Sequence, residues 1–230
     1  MKNVDRVERM AVHLVRWPLR MKRRHGVGDV EHAMPGVVIQ LVTRDGHVGW
    51  GEAAPWSVFS GTAEGNAQAL QVYLRPLVLG QPPQQLPRLM READRTIVGH
   101  AEAKAALEMA LMDLIGQASG LRVAELLGGV YRDRIPLSVS IANPDFDEDL
   151  DFARQQLERG VRLFKVKTGF ASHAEDLQRL ERLKAVLPAD AELRVDYNQG
   201  LQAWDALPKL RDIEAFAPGF IEQPVPRDRR

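Results

Sequence analysis

The chain has 230 residues, of which 45% are apolar and 27% are charged, and its 31 basic residues balance its 31 acidic ones. This balance lends no support to binding of nucleic acid or of an anionic membrane surface, so we expect neither partner. The absence of cysteine excludes disulfides, thiolate metal sites and cysteine nucleophiles. No run of ~18 apolar residues predicts a membrane span, and the N-terminus lacks the apolar core of a signal peptide, so we expect a cytoplasmic protein.

Three β-strands are predicted near the start of the chain. Alternating or β-branched apolar residues predict these strands at Val4–Leu19, Val37–Thr43 and His47–Ala53. The dipeptide Asp45-Gly46 is typical of a hairpin turn between the last two. Polar loops are predicted at Arg20–Pro35 and Pro55–Gly61. The strands therefore indicate an antiparallel meander.

Helices are predicted next, at residues 62–79, 87–98 and 102–118. Pro76 is expected to break or kink the first of them. The third has the clearest pattern, because small and aliphatic residues recur along one face and Gly120 stands just beyond its end. Residues 1–134 are therefore predicted to form an α+β domain.

From about residue 135, predicted strands and helices alternate. The strands are predicted at residues 135–141, 163–167, 193–196 and 220–222, and the helices at 146–159, 173–187 and 203–216. This alternation favours parallel strands joined by right-handed crossovers. A closed (β/α) barrel takes ~250 residues, so the second domain, residues 135–230, would supply about half of one. We expect a barrel truncated after its fourth strand; an open α/β sheet is the alternative.

Chemically reactive side chains cluster at the ends of these predicted strands. Side chains two apart on a strand share a face, so Lys165 and Lys167 should point the same way. Asp196 and Asn198 stand at the end of the next strand, and Glu222 ends the one after it. Two ammonium groups and two carboxylates at successive strand ends indicate a catalytic site that places a metal beside a base.

Five motifs, in this order along the chain, resemble those of the enolase superfamily, in particular its mandelate racemase / muconate lactonising enzyme family. They are residues 106–114 (ALEMALMDL), 126–129 (LLGG), 164–169 (FKVKTG), 195–199 (VDYNQ) and 221–224 (IEQP). The resemblance implies an enolase-like fold, with an α+β capping domain followed by a (β/α) TIM-type barrel. It also implies an active site at the carboxyl ends of the barrel strands, covered by the two predicted loops.

The resemblance assigns roles to five residues. Lys167 would be the base that moves the proton α to a carboxylate, and Lys165 would bind that carboxylate and lower the pKa of its neighbour by like charge. Asp196 and Glu222 would be two of three carboxylate ligands of Mg²⁺ or Mn²⁺, and Asn198 would support the metal or the substrate. The third ligand and a lysine on the opposite face are absent from this sequence, so the 230-residue chain alone is expected to be inactive.

The implied reaction passes through an enediolate, formed when a proton α to a carboxylate is removed or added. We favour a muconate cycloisomerase, which lactonises a small dicarboxylate and, by family analogy, forms a homo-oligomer. A racemase or epimerase of N-acylamino acids or dipeptides is the alternative, distinguished by exchange of the α-proton in D₂O. A noncatalytic scaffold is the alternative from another class, and it predicts no dependence on metal.

The remaining polar and aromatic residues predict less. The basic stretch Lys22–His25 is interpreted as a solvated loop in preference to an anion site. Trp56 and Phe59 fit a packing role as well as a substrate-binding one. The histidines show no metal-ligand spacing, and we assign them no role.

Overall fold

The computed structural model describes residues 5–25, 28–30 and 32–228, so the predicted strand residue Val4 lies outside the described part. Contacts divide the described residues into two units. One contains the residues up to Pro18 together with Ala33–Asp133, and the other contains Leu19–His32 together with the residues from Arg134 onward. The segment Leu19–His32 thus groups with the second unit, although it precedes the domain division predicted between residues 134 and 135.

The predicted strands and helices are present in the predicted order, and β2, β3 and α5 are additional elements that were not predicted. The strands are β1 (Val7–Pro18), β2 (Arg23–His25), β3 (Gly28–Val30), β4 (Ala33–Thr43), β5 (Val48–Ala53), β6 (Ser138–Ile141), β7 (Leu163–Lys167), β8 (Glu192–Asp196) and β9 (Ile221–Glu222). The helices are α1 (Ala63–Gln68), α2 (Arg75–Val78), α3 (Leu86–Thr96), α4 (Ala101–Ser119), α5 (Val123–Leu126), α6 (Phe146–Glu158), α7 (His173–Val186) and α8 (Ala206–Glu214).

The sheet of the first unit is the predicted antiparallel meander, with strand order β1-β4-β5. Alternate residues of β4, namely Val37, Ile39 and Leu41, are fully buried, as period-two patterning requires. Helix α4 packs closely on β5, because a Cβ built at Gly51 would lie 1.9 Å from the carbonyl oxygen of Ala106. The α+β fold predicted for the first domain is therefore confirmed.

The predicted loop at residues 20–35 is wrong in part, since it contains the short hairpin β2–β3 and the first residues of β4. Pro35 lies within β4 and pairs with Arg16 of β1. On its other side β4 pairs with β5 only from Val37 onward. Pro35 therefore has a strand neighbour on one side alone, where a missing N–H is tolerated.

The predicted first helix is interrupted as expected near Pro76, but the break takes a specific form. Between α1 and α2 lies a π-helical segment, Ala69–Leu74, and the N–H of Arg75 donates to the carbonyl of Leu70 five residues earlier. The wider turn accommodates the ring and the missing donor of Pro76 while the chain keeps its helical course. Helix α4 ends at Gly120, whose left-handed φ of 67° matches the predicted stop.

The second unit contains a four-stranded parallel sheet in the order β6-β7-β8-β9. Phe164 and Val166 of β7 are buried in one core with Leu150 of α6 and Leu180 of α7. The opposite face of β7 carries the two lysines. This sheet is the partial barrel predicted for the second half of the chain.

Several predicted boundaries in this unit were too wide. The first strand begins at Ser138 in place of residue 135, and α8 spans Ala206–Glu214 in place of residues 203–216.

In the first unit, Trp56 and Phe59 pack edge to face with ring centroids 5.0 Å apart. Their role in substrate binding stays a prediction. No helix within the described ranges is long and apolar enough to span a membrane.

Candidate active site

Parallel pairing aligns the predicted site residues in one row across three strands. Lys167 of β7 stands opposite Asp196 of β8, and Asp196 stands opposite Glu222 of β9. Lys165 lies two residues before Lys167 on the same face of β7, because side chains alternate along a strand. The carboxyl ends of these parallel strands meet at one edge of the sheet, which is why residues 57 apart in sequence come together.

The four charged groups contact one another directly. The Nζ atom of Lys165 lies 2.8 Å from Oδ2 of Asp196 and 2.8 Å from Oε2 of Glu222. The Nζ atom of Lys167 lies 2.6 Å from the same oxygen of Asp196. Asp196 is only 1% exposed and Lys167 8%, so these charges are largely removed from water. The structure thus brings together the predicted lysines and carboxylates.

Asn198 belongs to the same network. Its backbone has a left-handed φ of 43°, which asparagine tolerates better than most residues. Its N–H donates to Oδ1 of Asp196 at 2.9 Å, and its Oδ1 accepts from Nζ of Lys167 at 2.8 Å. Asn198 therefore fixes one oxygen of the carboxylate and one proton of the amine, which fits the predicted supporting position.

His25 is a site residue that the sequence did not reveal. Its Nδ1 lies 3.3 Å from Oδ1 of Asn198. No local spacing connects residues 173 positions apart, so no signal in the single sequence could have found this contact. Burial, together with the positive charge of Lys167, lowers the pKa of His25 and favours the neutral imidazole.

His25 is the last residue of β2, and hydrogen bonds from β2 to β6 and to the residue after it hold this strand in place. The N–H of Arg24 donates to the carbonyl of Ala142 at 2.7 Å, and Nη1 of Arg23 donates to the carbonyl of Ser140 at 2.9 Å. The prediction of a solvated loop for Lys22–His25 is therefore wrong in part: Lys22 is exposed, but residues 23–25 form a half-buried strand. The guanidinium of Arg23 and the N–H of Arg24 make hydrogen bonds there, which a charge pattern alone does not show.

The two lysines differ in pKa although they are neighbours on one strand. Burial lowers the pKa of Lys167, the bond to Asp196 opposes that shift, and the charge of Lys165 adds to the lowering, so the pKa is below its ordinary value. For Lys165 burial acts in the same direction, but its bonds to Asp196 and Glu222 outweigh it and raise the pKa. Like charge was the predicted cause at Lys167; burial is the larger one.

Asp196 is ionised in this arrangement. Burial would raise the pKa of its carboxyl, but hydrogen bonds from Lys165 and Lys167 and from the N–H of Asn198 more than offset this, and the pKa is lowered. A buried carboxylate that is kept charged is a good ligand for a hard cation.

The donor set fits part of a divalent-metal site. Asp196 and Glu222 both approach the single cationic nitrogen of Lys165, so their oxygens already converge on one positive charge. Carboxylate oxygens are the ligands that Mg²⁺ and Mn²⁺ prefer. Residues 5–25, 28–30 and 32–228 contain no group of three or more His, Asp or Glu residues placed to hold a metal. Asp196 and Glu222 are thus two carboxylates whose oxygens converge on one point.

An α+β unit and a parallel sheet with lysines and carboxylates at the carboxyl ends of its strands define an enolase-type protein. Comparison with family models agrees. Residues 8–128 match the mandelate racemase / muconate lactonizing enzyme N-terminal domain, and residues 148–230 match the enolase C-terminal domain-like family. The chain belongs to the mandelate racemase / muconate lactonizing enzyme family of the enolase superfamily, which confirms the resemblance seen in the five motifs.

Similar proteins in this family are named for different activities, some as cycloisomerases and others as racemases. A chloromuconate cycloisomerase of Cupriavidus pinatubonensis is 40% identical over 200 residues, which cover 83% of this chain and 53% of that protein. The crystal structure of a muconate cycloisomerase from Azorhizobium caulinodans is 49% identical, with a TM-score of 0.79, and the match covers 96% of this chain and 58% of that one. An N-succinyl-L-Arg/Lys racemase of Bacillus cereus is 30% identical over 95% of this chain and 60% of its own length. The chain thus spans between half and two thirds of the length of these relatives.

Proposed function

We propose that this chain carries the amine base and two metal ligands of a site that moves a proton α to a carboxylate through an enediolate. One observation supports this most strongly: Lys165, Lys167, Asp196 and Glu222 meet within hydrogen-bonding distance at the carboxyl ends of adjacent parallel strands. Relatives named as cycloisomerases and racemases support the same class of reaction.

Lys167 is suited to exchange a proton with carbon. Its pKa lies below that of an ordinary lysine, so a larger share of its amine is neutral near neutral pH. Asp196 and Asn198 hold the Nζ atom by two hydrogen bonds, which fixes its direction. In the direction of lactonisation, the protonated amine gives a proton to the α-carbon after the second carboxylate has closed the ring; in the reverse direction, the neutral amine removes it.

Lys165 keeps its proton and its charge. We assign it to the substrate carboxylate, where an ammonium offsets the negative charge that grows as the enediolate forms. Asp196 and Glu222 would hold Mg²⁺ or Mn²⁺, and a bound divalent ion would supply further electrostatic stabilisation of the same charge. Lys167 is only 8% exposed to water; Asn198 contacts its Nζ atom directly, and His25 contacts Asn198 in turn.

The substrate we propose is a small dicarboxylate of the muconate type, since relatives at 40% and 49% identity are named chloromuconate and muconate cycloisomerases. Association of copies of this chain is part of the same proposal. A racemase or epimerase of N-acylamino acids is the second candidate, favoured by the 30% identity to the N-succinyl-L-Arg/Lys racemase over 95% of this chain. That reaction needs an acid on the opposite face, and a lysine for it would have to come from elsewhere.

A fusion protein tests this proposal. The chain is joined to the part of the Azorhizobium muconate cycloisomerase that lies beyond the matched region, and folding is checked by thermal melting. We expect metal-dependent loss of the diene absorbance of muconate by the fusion and none by the chain alone. Lys167→Met should lower the rate by about a thousandfold, as loss of a general acid or base does, and Lys184→Met, an exposed lysine on α7, should leave it unchanged.

Exchange in D₂O separates the two candidates. Exchange of the α-proton in N-succinyl amino acids, without lactone formation, would favour the racemase. A folded fusion that loses no activity on Lys167→Met would refute the assignment of the base. A folded fusion that turns over neither muconate nor N-succinyl amino acids, with or without added Mg²⁺, would favour the noncatalytic scaffold over both enzymes.

A further inference from the structure

A buried ionic cluster lies on the helix side of the second unit and takes no part in the proposed proton transfer. It consists of Asp149 on α6 and of Asp176 and Arg179 on α7, which are 1%, 1% and 9% exposed. Charged groups are costly to bury unless they are paired. Such a cluster therefore requires a structural or functional reason.

Each acid of the cluster anchors a loop that follows a strand of the site. Oδ2 of Asp149 accepts a hydrogen bond from the N–H of Asn143, 2.8 Å away in the loop after β6. Oδ2 of Asp176 accepts one from the N–H of Gly169, 3.0 Å away in the loop after β7. The helix that follows each strand thus fixes the first residues beyond that strand.

Arg179 lies beside the anchor Asp149 and three residues after the anchor Asp176, on the same side of α7. Its guanidinium carbon is 4.4 Å from the ring centroid of Phe146 and 4.8 Å from that of Phe170, which places the cation between two aromatic rings. Its Nη2 is 3.8 Å from Oδ2 of Asp149. Burial raises the pKa of both carboxyls to about 6, and the charge of Arg179 opposes that rise. The cation therefore favours the ionised, hydrogen-bond-accepting form of both anchors.

The anchored loop after β7 adjoins the site. Gly169 stands two residues beyond Lys167, and the intervening Thr168 donates its N–H to the carbonyl of Asp196 at 3.0 Å. A Cβ built at Gly200 would lie 2.6 Å from the carbonyl oxygen of Gly169, so the loops after β7 and β8 touch backbone to backbone. A shift of Gly169 would therefore reach both the amine and the carboxylate of the site.

We propose that Arg179 is a positioning residue, which holds the anchors Asp149 and Asp176 and thereby fixes Lys167 and Asp196 at the strand ends. Its relevance to catalysis rests on the proposed function of Lys167. The anchoring itself does not, because it is measured on the loops and needs no substrate.

Hydrogen exchange distinguishes this role from general stabilisation. If Arg179 only added stability, its loss would accelerate exchange at every amide that opens by global unfolding. If it positions the loops, exchange should accelerate at Gly169 and Asn143 while core amides are unaffected. Val195, whose N–H donates to the carbonyl of Phe220 within the sheet, serves as the core reference.

The experiment compares the whole chain with three variants by exchange measured residue by residue. Arg179→Met removes the charge and keeps much of the volume, and Arg179→Lys keeps the charge but cannot place a planar group between two rings. Arg182→Met is the matched control, because Arg182 lies on the same helix, 5.3 Å from the ring of Phe146, and pairs with the exposed Asp147.

For Arg179→Met we expect exchange at Gly169 and Asn143 to be at least about tenfold faster, with Val195 within about twofold of the unaltered chain. Arg179→Lys should show a smaller acceleration at the same two amides, and Arg182→Met none. Equal acceleration at all three amides, or none at Gly169, would overturn the proposal. If neither Arg179 variant folds, the unaltered chain decides: Gly169 and Asn143 must exchange about a hundredfold more slowly than in an unstructured peptide, and unprotected amides there would refute the anchoring.

Discussion

Lys165 and Lys167, at the end of one strand, differ in pKa because they differ in burial and in their hydrogen-bond partners. Lys165 bonds two carboxylates and keeps its proton, whereas Lys167, which bonds Asp196 and the neutral Asn198, is more deeply buried and has a lowered pKa. Two lysines of one motif thus acquire different acid strengths without any difference in covalent structure. This difference supports the proposal that Lys167 exchanges a proton beside a lysine that stays charged.

The buried anchors predict an unusual pH dependence of stability. The pKa of Asp176 is raised to about 6 by burial, above the ~3.9 expected in an unfolded chain. The folded state therefore binds more protons than the unfolded state between these values, and the contribution of Asp176 to the free energy of unfolding falls as pH rises through this window, by about 3 kcal/mol.

Asp176→Asn should remove this contribution. Relative to the unaltered chain, the variant should become more stable as pH rises from about 4 to about 6, and the difference should level off above that range. Urea unfolding at several pH values measures it. Asp147→Asn, at an exposed position of α6, is the control and should show no such trend. A difference that stays constant or changes with the opposite sign would contradict the prediction.

At the scale of elements, glycines allow the strand-end loops to touch. Gly200 has no room for a Cβ, because the carbonyl of Gly169 would lie 2.6 Å away, and the neighbouring atoms are backbone. We expect Gly200→Ala to cost about 1–3 kcal/mol of stability, as overpacking does, and to disturb the position of Asp196. Gly65→Ala in α1 is the control: its nearest neighbour is a side-chain oxygen at 3.3 Å, and alanine favours helix.

Thermal melting of both glycine variants checks this expectation. The Gly200 variant should melt several degrees lower, and the Gly65 variant should melt at or above the temperature of the unaltered chain. Equal melting temperatures would mean that the two loops can separate without cost.

The elements also show which features a single sequence can predict. Strand β7 was predicted with its observed bounds, and the shared face of Lys165 and Lys167 followed from strand alternation. Pro35 within β4 was missed because its tolerance depends on where β5 stops, which is a property of pairing and not of local sequence. The π-helical segment before Pro76 was missed for a similar reason, since proline predicts a break but not its form.

The site was predictable only as far as its strands were. Lys167, Asp196 and Glu222 end regular strands, so parallel pairing was enough to bring them together. His25 comes from a short hairpin, and its contact with Asn198 depends on a turn and on packing over a long sequence separation. The cluster of Asp149, Asp176 and Arg179 was invisible for the same reason, because its members lie on two different helices.

At the scale of the whole molecule, the chain contains the α+β unit of the mandelate racemase / muconate lactonizing enzyme family and a second unit that is part of a barrel. The described sheet of the second unit has four strands. The chain covers 53% of the length of the chloromuconate cycloisomerase and 60% of that of the racemase. Asp196 and Glu222 are the carboxylates that this sheet supplies to the proposed metal site. Because the ammonium of Lys165 competes for these two carboxylates, we predict that the chain binds a divalent ion weakly. Removal of that ammonium should make the ion bind more tightly.

Titration of the whole chain with Mn²⁺, followed by electron paramagnetic resonance, tests this central claim most directly. We predict that Asp196→Asn weakens binding at least about tenfold, equivalent to about 1.4 kcal/mol, and that Lys165→Met strengthens it several-fold, because it removes the cation that both carboxylates contact. Lys184→Met, at an exposed position of α7, should bind as the unaltered chain does. Identical Mn²⁺ binding by the unaltered chain and all three variants would contradict the account.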